Sequence, residues 1–214
     1  GYGLTPALER LPNTLKVAEL AAPNSPIVSG HDRDPHVWHD PQQAAALVKL
    51  VGQQLEQLKP QAASAIKARA AAMQGELQAL DTFNTIPAPR ILATSHRGFA
   101  SLARAYRLKE WPVIDASGAS ETLRPQALAS IVKRLGSAGV RSVFSEQVPP
   151  SPSLERISSL SGVPLAKQPL LADAAGDNLM ATLTANTCLI VDALAGRCDQ
   201  AGAATLVKHW DAIR

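Results

Sequence analysis

The sequence predicts an α/β protein, and three observations carry that reading. From Arg90 onward, short apolar strands alternate with helical stretches, the pattern of a parallel sheet covered by helices on both faces. Ahead of that region Asp40-Pro41 opens a clearly marked helix, and a longer helical run follows from about Pro60 to Asp81. The composition suits a packed globular core: 46% of the 214 residues are hydrophobic and 18% charged. No apolar run approaches the roughly 18–20 residues that span a bilayer.

The first thirty residues are broken by Pro6, Pro12, Pro23 and Pro26. Thr5-Pro6 starts a short helix through Leu11, with Thr5 as cap, whereas Leu15–Leu20 and Ile27-Val28 read as short extended pieces. Asp40 then caps a helix, with Pro41 at its first position and Gln43 completing a capping box. Its apolar stripe is Leu47, Val48, Val51, Leu55 and Leu58, and Pro60 ends it. The next helix carries Ile66, Ala70, Met73, Leu77 and Leu80 at steps of three and four. At 1.5 Å per residue it is roughly 30 Å long, the breadth of a small domain.

Beyond Arg90, strands are expected at Arg90–Thr94, Pro112–Asp115, Arg141–Ser145 and Pro164–Leu170. Helices are expected at Gly98–Tyr106, Arg124–Ser137, Ser153–Leu160, Asn178–Leu194 and Thr205–Ile213.

Charge narrows the function classes. A net charge of +3 with scattered Lys and Arg gives no basic run and no basic-aromatic interleaving, so nucleic acid is not an expected partner. The chain opens Gly1-Tyr2-Gly3-Leu4, without Met, and reads as a processed product or a fragment. Cys188 and Cys198 fit no zinc-ribbon spacing. Seven residues of continuing helix would set Cys188 about 10 Å from the helix end, so a bridge requires the tail to fold back.

The densest chemistry lies between Gly30 and Pro41, where His31, Asp32, Asp34, His36, His39 and Asp40 cluster. Imidazole and carboxylate suit a borderline divalent metal such as zinc. Read blandly, the same cluster is an exposed polar loop ahead of a helix. In open parallel sheets, ligands bind outside the carboxyl ends of the strands. Thr94-Ser95-His96 and Ser145-Glu146-Gln147 stand at two such ends, and the last expected strand leads to Asp173, so His96, Glu146 and Asp173 converge on one edge. Each also has an ordinary role as cap, turn residue or ion-pair partner. A metal-dependent hydrolase with His36, His96 and Asp173 on zinc and Glu146 as general base is one alternative on these residues. Nucleophilic catalysis is not supported, because no Gly-x-Ser-x-Gly elbow occurs.

Four motifs taken together resemble a known family, the metal-binding solute receptors of zinc and manganese ABC importers, the zinc-uptake type in particular. They are Asp34-Pro35-His36-x-Trp38-x-x-Pro41; His96 with Phe99, Tyr106 and Leu108; Phe144-Ser145-Glu146; and Asp173 ahead of a helix with Asn186, Ala193 and Leu194. Gly1-Tyr2-Gly3-Leu4 is similar to a further segment of that family. Ser101 and Leu179 stand where aromatics are usual, and Arg107 where Gly is usual.

The resemblance implies two α/β lobes with parallel sheets joined by a long rigid helix, the first lobe incomplete. Residues 1–59 would be a remnant of the N-terminal lobe, 60–82 the connecting helix and 83–214 the C-terminal lobe. It further implies that His36, His96 and Asp173 ligate Zn²⁺, with Glu146 orienting a ligand imidazole, and that one more metal-binding His lies upstream of Gly1. His31 and His39 are expected to be bystanders. The implied activity is extracytoplasmic zinc capture by a monomer, lipid-anchored in some forms, and delivery to a membrane permease. Manganese or another divalent ion is the alternative cargo, and adhesion a further role of such receptors. No enzymatic activity is implied.

Overall fold

Two compact units make up the chain. The first comprises Gly1–Phe83, Ala100–Ala105 and Gln200–Arg214; the second comprises Asn84–Phe99 and Tyr106–Asp199. The structure, a computed structural model, describes residues 1–80, 90–114, 124–173 and 177–213. No helix among the described residues is long and apolar enough to cross a membrane.

In chain order the first described stretch holds α1 (Pro6–Glu9), α2 (Val17–Ala21), β1 (Ile27–Ser29), β2 (Asp32–Arg33), α3 (Pro41–Leu58) and α4 (Ala63–Leu80). Then come β3 (Ile91–Thr94), α5 (Ala100–Ala105), β4 (Lys109–Pro112), α6 (Pro125–Ser137), β5 (Val143–Phe144), α7 (Pro152–Ser161), α8 (Leu179–Ala193) and α9 (Gln200–Ala212). Single 3-10 turns occupy Val37–His39 and Pro60–Ala62.

In the first unit α3 starts as its sequence dictates. The Asp40 carboxylate accepts from the amides of Gln42 and Gln43 at 3.0 and 3.3 Å, and Pro41 supplies a first-turn residue with no amide to satisfy. The Gln43 side chain bonds the Asp40 carboxylate at 2.9 Å instead of reaching back to the Asp40 amide. The helix packs on α4 through small residues. A Cβ on Gly52 would lie 3.0 Å from the Ala70 methyl, so a glycine is what lets the two backbones approach. The buried face of α3 is therefore Gln43, Ala44, Ala45 and Gly52, while Val51, Leu55 and Leu58 of the expected stripe are exposed. The stripe of α4 does turn inward, ending in fully buried Leu77 and Leu80. Helix α9 lies against α4, where His209 Nδ1 meets a Glu76 carboxylate oxygen at 3.5 Å. β1 and β2 form a short antiparallel hairpin.

The second unit holds a parallel sheet in the order β4-β3-β5, with Ile91 paired to Lys109 and Thr94 to Phe144. Ala93, Val113, Leu135, Val140, Val143, Leu154, Ile157 and Val163 form its core, joining the sheet to α6 and α7. Arg134 lies over the Trp111 ring at 4.9 Å from its centroid. Arg107 takes a left-handed backbone (φ 55°) in the turn before β4, a conformation that glycine adopts at less cost.

Three elements differ from the sequence expectations. Leu15–Leu20 is not extended, because Val17–Ala21 is a helical turn packed on α3. The strand expected at Pro112–Asp115 starts earlier, at Lys109, and Asp115 lies outside the described residues. The strand expected at Pro164–Leu170 shrinks to one parallel bridge between Leu165 and Val143. Pro164 and Pro169 have no amide to donate, which limits a ladder there. Asp81, expected to end α4, also lies outside the described residues.

The two cysteines are joined. Ala195 adopts φ 64° just after α8, and the Cys198 amide donates to Asp192 Oδ1 at 3.0 Å. This reversal brings the Cα atoms of Cys188 and Cys198 to 5.1 Å, and a disulfide closes the loop.

Candidate metal centre

His36 belongs to the first unit and stands at the entry of the Val37–His39 turn. Its ring is 9% exposed, and Nδ1 lies 2.8 Å from Asp34 Oδ1, which also accepts the His36 amide at 3.0 Å. The other oxygen of Asp34 accepts the Ser101 amide and hydroxyl, both at 2.7 Å. Burial alone would push the Asp34 carboxyl up. The His36 ring and amide, the Ser101 hydroxyl and the charge of His36 outweigh it and hold Asp34 below the usual carboxylate range.

The backbone of this loop is equally fixed. The Asp34 amide donates to Pro26 O at 2.8 Å, and Ser25 Oγ donates to Asp34 O at 2.6 Å. Trp38 sets its ring edge-on to His36 at 5.4 Å. At the far end of the loop, Arg104 donates to Asp40 Oδ2 at 3.0 Å and also to the Asn24 carbonyl. His39 is fully buried, so it is part of the packing, and His31 is exposed.

His96, Glu146 and Asp173 all belong to the second unit. His96 follows β3 and Glu146 follows β5, and the parallel pairing of those strands aligns the two ends. Glu146 Oε1 accepts Ser95 Oγ at 2.8 Å and the His96 amide at 3.1 Å, while Oε2 meets His96 Nδ1. Arg141 or a backbone amide is the ordinary partner the sequence offers Glu146; the carboxylate takes the backbone amide of His96, together with the Ser95 hydroxyl and the His96 ring. The hydrogen bond to Glu146 raises the His96 pKa above its ordinary 6.5; burial opposes this, and the charges of Glu146, Asp173 and Glu110 add to it.

Asp173 is exposed, and a carboxylate oxygen lies within 4.8 Å of a His96 ring nitrogen. Asn186 of α8 fixes the chain just before it, accepting the Leu171 amide and donating to the Leu171 carbonyl, both at 2.8 Å. Gly98 completes the arrangement. A Cβ there would come within 3.0 Å of His96 Nε2 and 3.1 Å of Cε1, so only glycine leaves the imidazole where it stands. Sequence reasoning passed over Ser95, Gly98 and the role of Ser101; a glycine two residues after a candidate His was the available signal.

The chain is similar over long stretches to known proteins. It is 27% identical over 213 residues to the metal-binding protein YtgA of Chlamydia pneumoniae, covering 88% of this chain and 65% of that protein. The chain thus spans about two thirds of the length of that relative. Among solved structures it matches the periplasmic zinc binding protein TroA from Treponema pallidum at a TM-score of 0.73 and 25% identity, over 86% of this chain and 72% of that one. It matches Fe(III)-bound YtgA from Chlamydia trachomatis at a TM-score of 0.77 and 25% identity, over 91% and 76%.

These are metal-binding receptors of the periplasmic type, with the α/β fold described above, and not enzymes, which sets the hydrolase alternative aside. The chain belongs to the ZnuA family, described as zinc-uptake complex component A, periplasmic, whose model matches residues 1–193.

Proposed function

We propose that this protein captures a divalent metal ion outside the cytoplasm as cargo and passes it to the membrane permease of an ABC importer. The ligands in this reading are His36, His96 and Asp173. Nδ1 of each imidazole is engaged by a carboxylate, Asp34 or Glu146, so ligation falls to Nε2 in both. The observation that carries the proposal is the His96–Asp173 pair within 4.8 Å, with Glu146 behind the imidazole. Carboxylate-backed imidazoles are the usual arrangement at protein metal sites, because the carboxylate fixes the tautomer and raises the basicity of the ligand. The Cys188–Cys198 disulfide supports an oxidising, extracytoplasmic location.

Zinc is the favoured ion. Two imidazoles against one carboxylate form a borderline donor set that suits zinc better than manganese. Iron is the second reading, because a relative of 25% identity has been solved with Fe(III) bound. Calorimetric titration with Zn²⁺, Mn²⁺ and Fe³⁺, on the wild type and on His36→Ala, His96→Ala and Asp173→Ala, tests both parts. Zinc binding lost in each variant is the expected result. Unchanged affinity in the His36→Ala/His96→Ala double variant would reject the ligand set, and a preference for manganese or iron would reject zinc as cargo.

A further inference from the structure

Asp34 is almost wholly enclosed, at 1% exposure, yet all four described hydrogen bonds of its carboxylate come from only two residues. Oδ1 takes the His36 amide and ring, and Oδ2 takes the Ser101 amide and hydroxyl. A carboxylate is planar, so fixing one oxygen fixes the direction of the other. With the His36 amide on Oδ1, the Ser101 amide alone would hold Oδ2 from one direction only. The hydroxyl, from the same fully buried residue, adds a second donor at 2.7 Å on that oxygen and holds it from a second direction. Helix α5 grips the other end of the His36 loop as well, through Arg104 and Asp40. Ser101 and Arg104 stand three residues apart, on neighbouring turns of one helix face.

We infer that the Ser101 hydroxyl is a positioning group for His36: by locking Asp34 it fixes the tautomer and ring direction with which His36 meets metal. This rests on the proposal that His36 is a ligand. It goes beyond that proposal by naming a residue that touches no metal and whose contribution resides in one hydroxyl. Outer hydrogen-bond partners of ligand imidazoles commonly matter by about 10- to 100-fold in affinity. A partner one bond further out belongs at the lower end.

The experiment compares Ser101→Ala, Ser101→Thr and His36→Ala by zinc titration. It also compares the ¹⁵N chemical shifts of the His36 ring in the metal-free proteins, which report the tautomer directly. Ser142→Ala serves as control: it removes another buried hydroxyl, one that bonds the Pro164 carbonyl in the second unit. Ser101→Ala is expected to bind zinc about 10-fold more weakly, with its His36 shifts moved toward a tautomer mixture. Ser101→Thr, which keeps the hydroxyl, restores both, and Ser142→Ala moves neither. Unaltered His36 shifts in Ser101→Ala overturn the inference, as does an affinity loss shared equally by Ser142→Ala. Wild-type binding by His36→Ala would instead refute the ligand assignment, while the shifts still decide whether Ser101 positions the ring.

Discussion

Glu146 and His96, fifty residues apart in the chain, are bound twice over: one carboxylate oxygen takes the His96 amide and the other meets the ring at Nδ1. Backbone and side chain of the histidine are thereby referred to the same group. The position of the imidazole follows from the pairing of β3 with β5, not from the flexibility of the segment after the strand.

This pairing sets a pH dependence. Glu146 stabilises the charged imidazole, so the folded pKa of His96 lies above its ordinary 6.5. The stability this supplies is fully present below the unfolded value and is lost as pH rises through the raised folded value. With His96 as the proposed ligand, metal binding should run the other way, because it needs the neutral ring: affinity should fall as pH drops through the raised value, starting above 6.5. Proton NMR of the metal-free protein should show His96 titrating above 6.5, and Glu146→Gln should lower that value. A wild-type midpoint at or below 6.5 would contradict the assignment.

Gly98→Ala should displace the His96 ring, since its new methyl group would stand 3.0 Å from Nε2. Zinc affinity should drop by about 10-fold or more, as for the loss of a ligand's supporting contacts, with little change in the thermal midpoint. A crystal structure of the variant with His96 unmoved would refute this account of the glycine.

Asn186→Ala should cost about 1–3 kcal/mol of stability, because the Leu171 amide and carbonyl both lose a side-chain partner. The same change frees the approach to Asp173, so zinc affinity should fall alongside stability. Chemical denaturation together with titration measures the two effects. An intact affinity in a destabilised variant would show that Asp173 is held by other contacts.

Replacing both cysteines by serine reopens a loop with a sequence separation of 10 residues. Chain-entropy arguments put the loss at about 2–3 kcal/mol. Thermal unfolding of the wild type with and without reductant should reproduce the difference, and a Cys188→Ser/Cys198→Ser variant should no longer respond to reductant.

Much of this was legible because local chemistry and tertiary context agree. Asp40-Pro41 begins a helix in any setting, and Asn178 caps α8 through the Ala181 amide at 2.8 Å. The expected positions of His96 and Glu146 followed from one rule about strand ends, and the structure brings both together with Asp173. What escaped notice depended on partners distant in sequence. Lys109 and Glu110 look too polar for a strand, yet β4 is an edge strand, and the Glu110 carboxylate accepts the Phe99 amide at 2.9 Å ahead of α5. Val17–Ala21 alternates weakly enough to suggest an extended piece, and packing on α3 decides for helix. The bulky stripe of α3 misled for the opposite reason: periodicity marks an apolar face, but Gly52 and its small neighbours determine which face α4 can reach.

The threading of the chain bears on how such receptors can be re-engineered. Helix α5 is a six-residue insert that belongs with His36, though it is encoded between β3 and β4 of the other unit. A chimera cut at a single point between residues 41 and 100 would carry the His36 loop without its own Ser101 and Arg104, and so without the two grips on Asp34 and Asp40. Grafting that loop between homologues without the chain that intervenes therefore takes two exchanges, one around residues 34–40 and one around residues 100–105.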